Sequence, residues 1–190
     1  MMRRKELARI LGLSVAATVL LSGCSTWDSA VNYMRSDSKN VCPDAAILAN
    51  TAVIPVYDPA KGADPANVVY TVEMKGLSSR CDYNKRESTA DVNLHIQYVA
   101  TRPSGGEEAH YRLPYYLAVT LDGKIVDKTN KWLEFDFPKG AATYSGEVLM
   151  DSYVFNLDPK KRSFEYHVLT GFQLTQAQID YNKKMGQYLP

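Results

Sequence analysis

Three histidines have the widest chemical repertoire of any residues in this 190-residue chain: His95, His110 and His167. A histidine can act as a general acid or base, or bind a metal together with cysteines and carboxylates. His95 and His167 fall on the polar or mixed faces of predicted strands, where a solvated ring is the usual outcome. His110 follows Glu107-Glu108, which could hold a cation weakly or simply surround a loop histidine with acidic groups. This pattern predicts no metal site and no cofactor.

Motifs for nucleophilic catalysis are missing from the sequence. Tyr144-Ser145-Gly146 lacks the Gly-x-Ser-x-Gly pattern that places a serine on a strand-to-helix turn. Acidic pairs such as Glu134 with Asp136 could serve a glycosidase, but exposed strand faces produce the same spacing. The sequence therefore predicts a protein that is not an enzyme, with a hydrolase of cell-wall or lipid-linked material as the competing hypothesis.

Cys24 ends the segment Leu21-Ser22-Gly23-Cys24, which follows an uncharged run over 10–21 and four basic residues, Arg3, Arg4, Lys5 and Arg9. This pattern resembles the signal of bacterial lipoproteins, whose cysteine receives a diacylglycerol and becomes the first residue of the mature chain. The resemblance implies a signal peptide over 1–23 and lipidation of Cys24. The alternative is an uncleaved membrane helix with a chance cysteine, although the run is shorter than the roughly 20 residues of a membrane span.

The resemblance also implies a location. Two or three acyl chains would anchor the protein stably, because a single chain binds a membrane only marginally. Ser25 follows the cysteine, and by similarity to sorting in Gram-negative cells it implies the periplasmic face of the outer membrane. The inner membrane is the alternative. Residues 24–41 are polar and aperiodic, which predicts a lipidated N-terminus and flexible tether.

Cys42 and Cys81 are the remaining cysteines. In an oxidising compartment two such thiols usually pair, which predicts a disulfide, with two buried free thiols as the alternative. Without residues 1–23 the formal charge is −2, which argues against nucleic acid as a partner. Thirteen tyrosines and 45% apolar residues exclude a disordered chain. Residues 42–190 are therefore predicted to form one folded domain.

Nearly all periodic signals in this domain are those of strands. Val92, Leu94, Ile96 and Tyr98 alternate with polar residues, as in a half-buried strand. The segment 115–119 is apolar on both faces, which predicts a central strand, and Asp122-Gly123 predicts a hairpin turn. About eight short strands predict an all-β fold, an antiparallel β-sandwich of immunoglobulin-like architecture, with a closed barrel as the alternative. The strand order stays open.

A short helix is predicted at the C-terminus, because Thr175 and Gln178 form a capping box. A helix of this length does not persist alone in water, so it must dock on the sandwich or on another molecule. Its exposed side is the candidate partner surface, made of Tyr181, Lys183, Lys184, Met185 and Tyr188.

Four further segments, Cys42-Pro43, Cys81-Asp82-Tyr83, 114–119 and 171–175, resemble small alphaproteobacterial envelope lipoproteins without an assigned function. That resemblance brings no catalytic residues. Together these features predict a non-enzymatic binding, structural or adaptor module, anchored to the membrane through lipid, whose partner is an envelope protein or a glycan. A carrier of an apolar ligand is a further alternative, which an apolar cavity would favour.

Overall fold

The computed structural model describes residues 42–103 and 105–186, all of which belong to one compact unit. Two predictions fall outside them: lipidation of Cys24 with its signal peptide and tether, and the contribution of Tyr188 to a partner surface. No helix within the described ranges is long and apolar enough to cross a membrane.

Eight strands form two four-stranded sheets, and the predicted antiparallel sandwich with a C-terminal helix is confirmed. The first sheet has the order β1-β8-β5-β6 and the second β2-β3-β4-β7, an order that the sequence leaves open. Only β1 and β8 pair in parallel. The elements are β1 (Asp44–Ile47), β2 (Val53–Tyr57), β3 (Val68–Asn84), β4 (Thr89–Thr101), β5 (Ala109–Leu121), β6 (Lys124–Phe137), β7 (Thr143–Asn156), β8 (Tyr166–Phe172) and the helix α1 (Gln176–Lys184).

Strand boundaries differ from the sequence pattern where the chain bulges or changes sheet. The pattern predicts that Gly76 ends a strand, but β3 continues through it with a register shift between Met74 and Gly76. Because a bulge reverses which residues face inward, the alternation breaks there although pairing continues. Conversely, the apolar run 47–56 is not one strand. A 3-10 turn at Ala49–Thr51 carries the chain from the first sheet to the second.

The core lies between the two sheets and is built from their alternating inward residues. Strand β5 lies between β8 and β6, which confirms that the doubly apolar segment 115–119 is central. The predicted hairpin at Asp122-Gly123 is present, and both residues have positive φ, at 51° and 73°. Several tyrosines join the core, and the buried ones include Tyr70, Tyr98, Tyr115, Tyr153 and Tyr166.

The disulfide between Cys42 and Cys81 is confirmed, with a Cα–Cα distance of 5.7 Å. Cys42 lies two residues before β1 of the first sheet, and Cys81 lies on β3 of the second. The bond therefore joins the two layers of the sandwich. Strand β1 has only four residues and pairs only with β8, so the bridge secures the start of the domain.

Arg102 joins two loops at one end of the sandwich. Its side chain is only 8% exposed, and its guanidinium lies 4.2 Å from the centre of the Phe137 ring. The guanidinium donates hydrogen bonds of 2.6–3.1 Å to four carbonyl oxygens, those of Gly106, Glu107, Pro138 and Ala141. No carboxylate takes part in these contacts. The buried positive charge of Arg102 is therefore stabilised by hydrogen bonds to backbone carbonyls. One side chain thus holds the β4–β5 loop against the β6–β7 loop.

Helix α1 docks on β2, an edge strand of the second sheet. Gln178 donates its side-chain amide to the Pro55 carbonyl and Asn182 to the Val53 carbonyl, each at 2.8 Å. Helix residues four apart are separated by about 6 Å along the axis, and strand residues two apart by nearly 7 Å. This match lets two amides from one helix face cover two neighbouring carbonyls of the edge.

Candidate binding surface

The three histidines, which are the candidate catalytic or metal-binding residues of the sequence, lie apart from one another. His95 Nε2 is 2.8 Å from Glu147 on the outer face of the second sheet. His110 Nδ1 is 2.8 Å from Asp136 across β5 and β6 of the first sheet, and His167 is exposed on β8. Within 42–103 and 105–186, no three His, Cys, Asp or Glu residues are grouped so that they could hold a metal ion.

Both carboxylates of the candidate acidic pair contact basic side chains. Glu134 lies 2.8 Å from the Arg112 guanidinium, and Asp136 lies 2.8 Å from the His110 ring. Glu107, which the sequence places near His110, instead pairs with Lys139 at 3.0 Å. A hydrogen bond from the Arg162 backbone N–H lowers the pKa of Glu165, the opposite of what a general acid requires.

The C-terminal helix presents only part of its predicted partner surface. Tyr181 is half-buried, with its ring edge-on to Tyr57 at 6.3 Å. Asn182, which follows it, is fully buried against β2. The exposed remainder is Lys183, Lys184 and Met185 at the last turn. The helix therefore packs on its own domain, and its outward side is small and basic.

The outer face of the first sheet, which we name the tryptophan face, carries two large exposed apolar side chains, Trp132 and Ile125. Trp132 is 52% exposed and lies opposite Pro114 in the β5–β6 register. Farther along the same face Ile125 is 63% exposed. Between them on β6 lie the exposed polar residues Asn130 and Lys128, paired with the buried Tyr116 and Ala118 of β5. Trp132 is the candidate contact residue of this face, because aromatic side chains are enriched at binding surfaces.

Two cations hold the aromatic rings of this face. The Arg112 guanidinium lies 4.1 Å from the Trp132 ring centre while its Nε contacts Glu134. The Lys128 ammonium lies 5.0 Å from the Tyr116 ring centre. Each cation–π contact contributes about 0.5–1 kcal/mol at an exposed site. The contact with Arg112 therefore favours one orientation of the Trp132 indole.

A groove of about 280 Å³ lies at the other end of the tryptophan face. The Thr51 and Tyr116 hydroxyls, 2.9 Å apart, contact each other at its wall. Burial raises the pKa of Tyr116, with the Thr51 hydrogen bond acting in the opposite direction. A side chain at Gly171 would overlap Thr51, so glycine is needed there. The groove lining is mostly apolar and includes Leu48, Ile125, Leu169, Leu174 and Ile179.

The sequence analysis assigns no role to Trp132, although the alternation along its strand indicates that the side chain is exposed. Trp132 shares its strand face with Glu134 and Asp136, whereas Leu133, Phe135 and Phe137 point to the core. A tryptophan in phase with charged residues on an alternating strand indicates an exposed aromatic. Compared with known proteins, this chain matches no family model, no curated protein and no solved structure.

Proposed function

We propose that this protein is a non-enzymatic envelope lipoprotein that binds another envelope component, a protein or a glycan, through the tryptophan face. The observation that carries the proposal is the half-exposed Trp132, whose ring lies 4.1 Å from the Arg112 guanidinium on the outer face of the first sheet. Tryptophan and arginine are the residues most enriched at the energetic centres of interfaces. The scattered and separately paired histidines and carboxylates support a binding role over a hydrolytic one.

A second candidate function is transport of an apolar ligand, favoured by the groove beside Leu48 and Ile179. A groove of this size would hold part of an acyl chain, and Lys128 at its lining would pair with an anionic headgroup. Titration with a long-chain fatty acid separates the two functions. Saturable shifts of the Leu48 and Ile179 methyl NMR signals would support the carrier function. Unchanged signals would favour binding through the tryptophan face.

Replacing Trp132 with alanine tests the binding role. We expect Trp132→Ala to lower the yield of crosslinks to the envelope partner about tenfold in whole cells, because buried interface tryptophans often contribute 2 kcal/mol or more. The matched control is Phe164→Ala, which removes another exposed aromatic ring with an arginine, Arg162, 5.7 Å from its centre. Equal crosslinking in both variants would contradict the proposal, as would turnover of a cell-wall substrate by the purified protein.

Cys24→Ala tests the proposed anchor at the periplasmic face of the outer membrane. The lipobox supports acylation at this cysteine, so the variant should lose fatty-acid label completely and no longer partition with membranes. Cys24→Ser is a second variant that retains a polar side chain of similar size. Metabolic labelling followed by membrane fractionation measures both, and label retained in either variant would refute acylation at this position.

A further inference from the structure

The two sheets have four edge strands, and three of them carry features that block pairing with another chain. Strand β1 is only four residues long. Strand β2 contains Pro55 and is covered by the side-chain amides of α1. Strand β6 carries Lys124, Lys128 and Lys131. Short length, proline, a covering helix and lysines are the common means by which proteins protect the unpaired backbone of an edge.

Strand β7 lacks these four features, although a bulge at Asp151 and Ser152, where its register with β4 shifts, divides it into two regular segments. It runs over Thr143–Asn156 and contains no lysine, arginine or proline. It pairs with β4 on one side, and among the described residues no strand pairs with its other side. Leu149 is 68% and Val154 53% exposed on its outward face. A long edge with β-forming, apolar residues is a template for strand addition.

The ionisable side chains along this edge are acidic, and one of them, Glu147, contacts His95 of β4 at 2.8 Å. Glu147 and Asp151 lie on β7, and Asp91 on the neighbouring β4 accepts a hydrogen bond from Ser152 at 2.9 Å. On the inward side, burial and nearby Asp127 of β6 raise the pKa of Tyr153 to about 12. The Tyr153 hydroxyl is buried without a hydrogen-bond partner among the described residues. An added strand would bring its inward side chains near this hydroxyl, while its outward side chains would lie beside Glu147.

We propose that the free edge of β7 binds an extended, basic segment of another protein, which adds to the second sheet as a ninth strand. Backbone hydrogen bonds would supply the affinity, and alternating lysines or arginines would pair with the acidic groups. A second copy of this chain fits less well, because antiparallel pairing of β7 with itself in the register centred on Leu149 places Glu147 opposite Asp151. This site lies on a different sheet from the tryptophan face, so neither proposal depends on the other.

The test uses the purified mature protein and a synthetic ten-residue peptide in which lysine alternates with valine and threonine. A peptide with glutamate at the lysine positions is the charge control. We expect saturable binding of the lysine peptide and none of the glutamate peptide. Amide hydrogen exchange should slow within β7 and remain unchanged within β6, because strand addition protects the backbone of the edge that it covers.

Leu149→Lys should weaken binding of the lysine peptide about tenfold, because it places a cation opposite the incoming cations and removes an apolar contact. The matched control is Val126→Lys, the same change of charge at an exposed apolar position of β6, where Val126 is 50% exposed. No binding, equal binding of both peptides, or equal weakening by both variants would overturn the proposal. Protein that dimerises through β7 would also overturn it, in favour of self-association.

Discussion

Replacing both Cys42 and Cys81 with serine is expected to lower the free energy of unfolding by about 4 kcal/mol. The disulfide closes a segment with a sequence separation of 39, and in the chain-entropy model a crosslink of that span restricts the unfolded chain by this amount. Equilibrium denaturation followed by circular dichroism measures the loss. Both proteins should carry Cys24→Ala, so that lipid and the third thiol do not interfere.

Removal of the disulfide should destabilise strand β1 most, because the bridge is a main attachment of this strand. Strand β1 pairs with β8 over only four residues, so its amides at Asp44–Ile47 should lose hydrogen-exchange protection before those of β4 or β5. Reducing the unsubstituted disulfide with dithiothreitol is the control and should reproduce the effect. A loss of stability below about 1 kcal/mol would mean that packing alone holds the two layers.

Arg102→Met is expected to destabilise the domain by about 3 kcal/mol. The substitution keeps much of the side-chain volume but removes the donors for four carbonyl oxygens and the cation over Phe137. Hydrogen bonds to a charged group are each worth about 1.5–3 kcal/mol, and water can replace part of them in these loops. Thermal and chemical denaturation measure the change.

Two variants separate the role of Arg102 from a general effect of charge. Arg102→Lys keeps the positive charge but cannot donate in four directions, so it should recover less than half of the loss. Arg86→Ala removes an exposed arginine in the β3–β4 turn and should change stability by less than about 0.5 kcal/mol. Equal stability of Arg102→Met and the unsubstituted protein would show that the two loops are held by other contacts.

The tryptophan face and the β7 edge represent two different ways of binding. The face offers side chains, with Trp132 and Ile125 exposed to water. The edge offers backbone groups flanked by carboxylates. A partner at the face would be recognised by its shape and apolar surface, whereas one at the edge would be recognised by an extended conformation and basic charge. The two sites can therefore be separated by Trp132→Ala and Leu149→Lys.

Local signals in the sequence determined the features that depend on a few neighbouring residues. Alternation over 92–98 predicted β4, and Asp122-Gly123 predicted the β5–β6 hairpin, since only residues that tolerate positive φ suit that turn. The Thr175 and Gln178 capping box predicted the start of α1 in the same way. The sandwich class followed from the number and spacing of strands, and the disulfide from the cysteine count together with the compartment that the sequence predicts.

Tertiary structure alone decided the features that depend on distant partners. Strand β3 continues past Gly76 because β4 continues to pair with it beyond the bulge. The division of 47–56 between two sheets depended on which neighbours each half could reach. Trp132 and Arg112 stand on adjacent strands 20 positions apart, and Arg102 contacts carbonyls up to 39 positions away. Contacts at such separations leave no local pattern, because the fold rather than the chain brings these residues together.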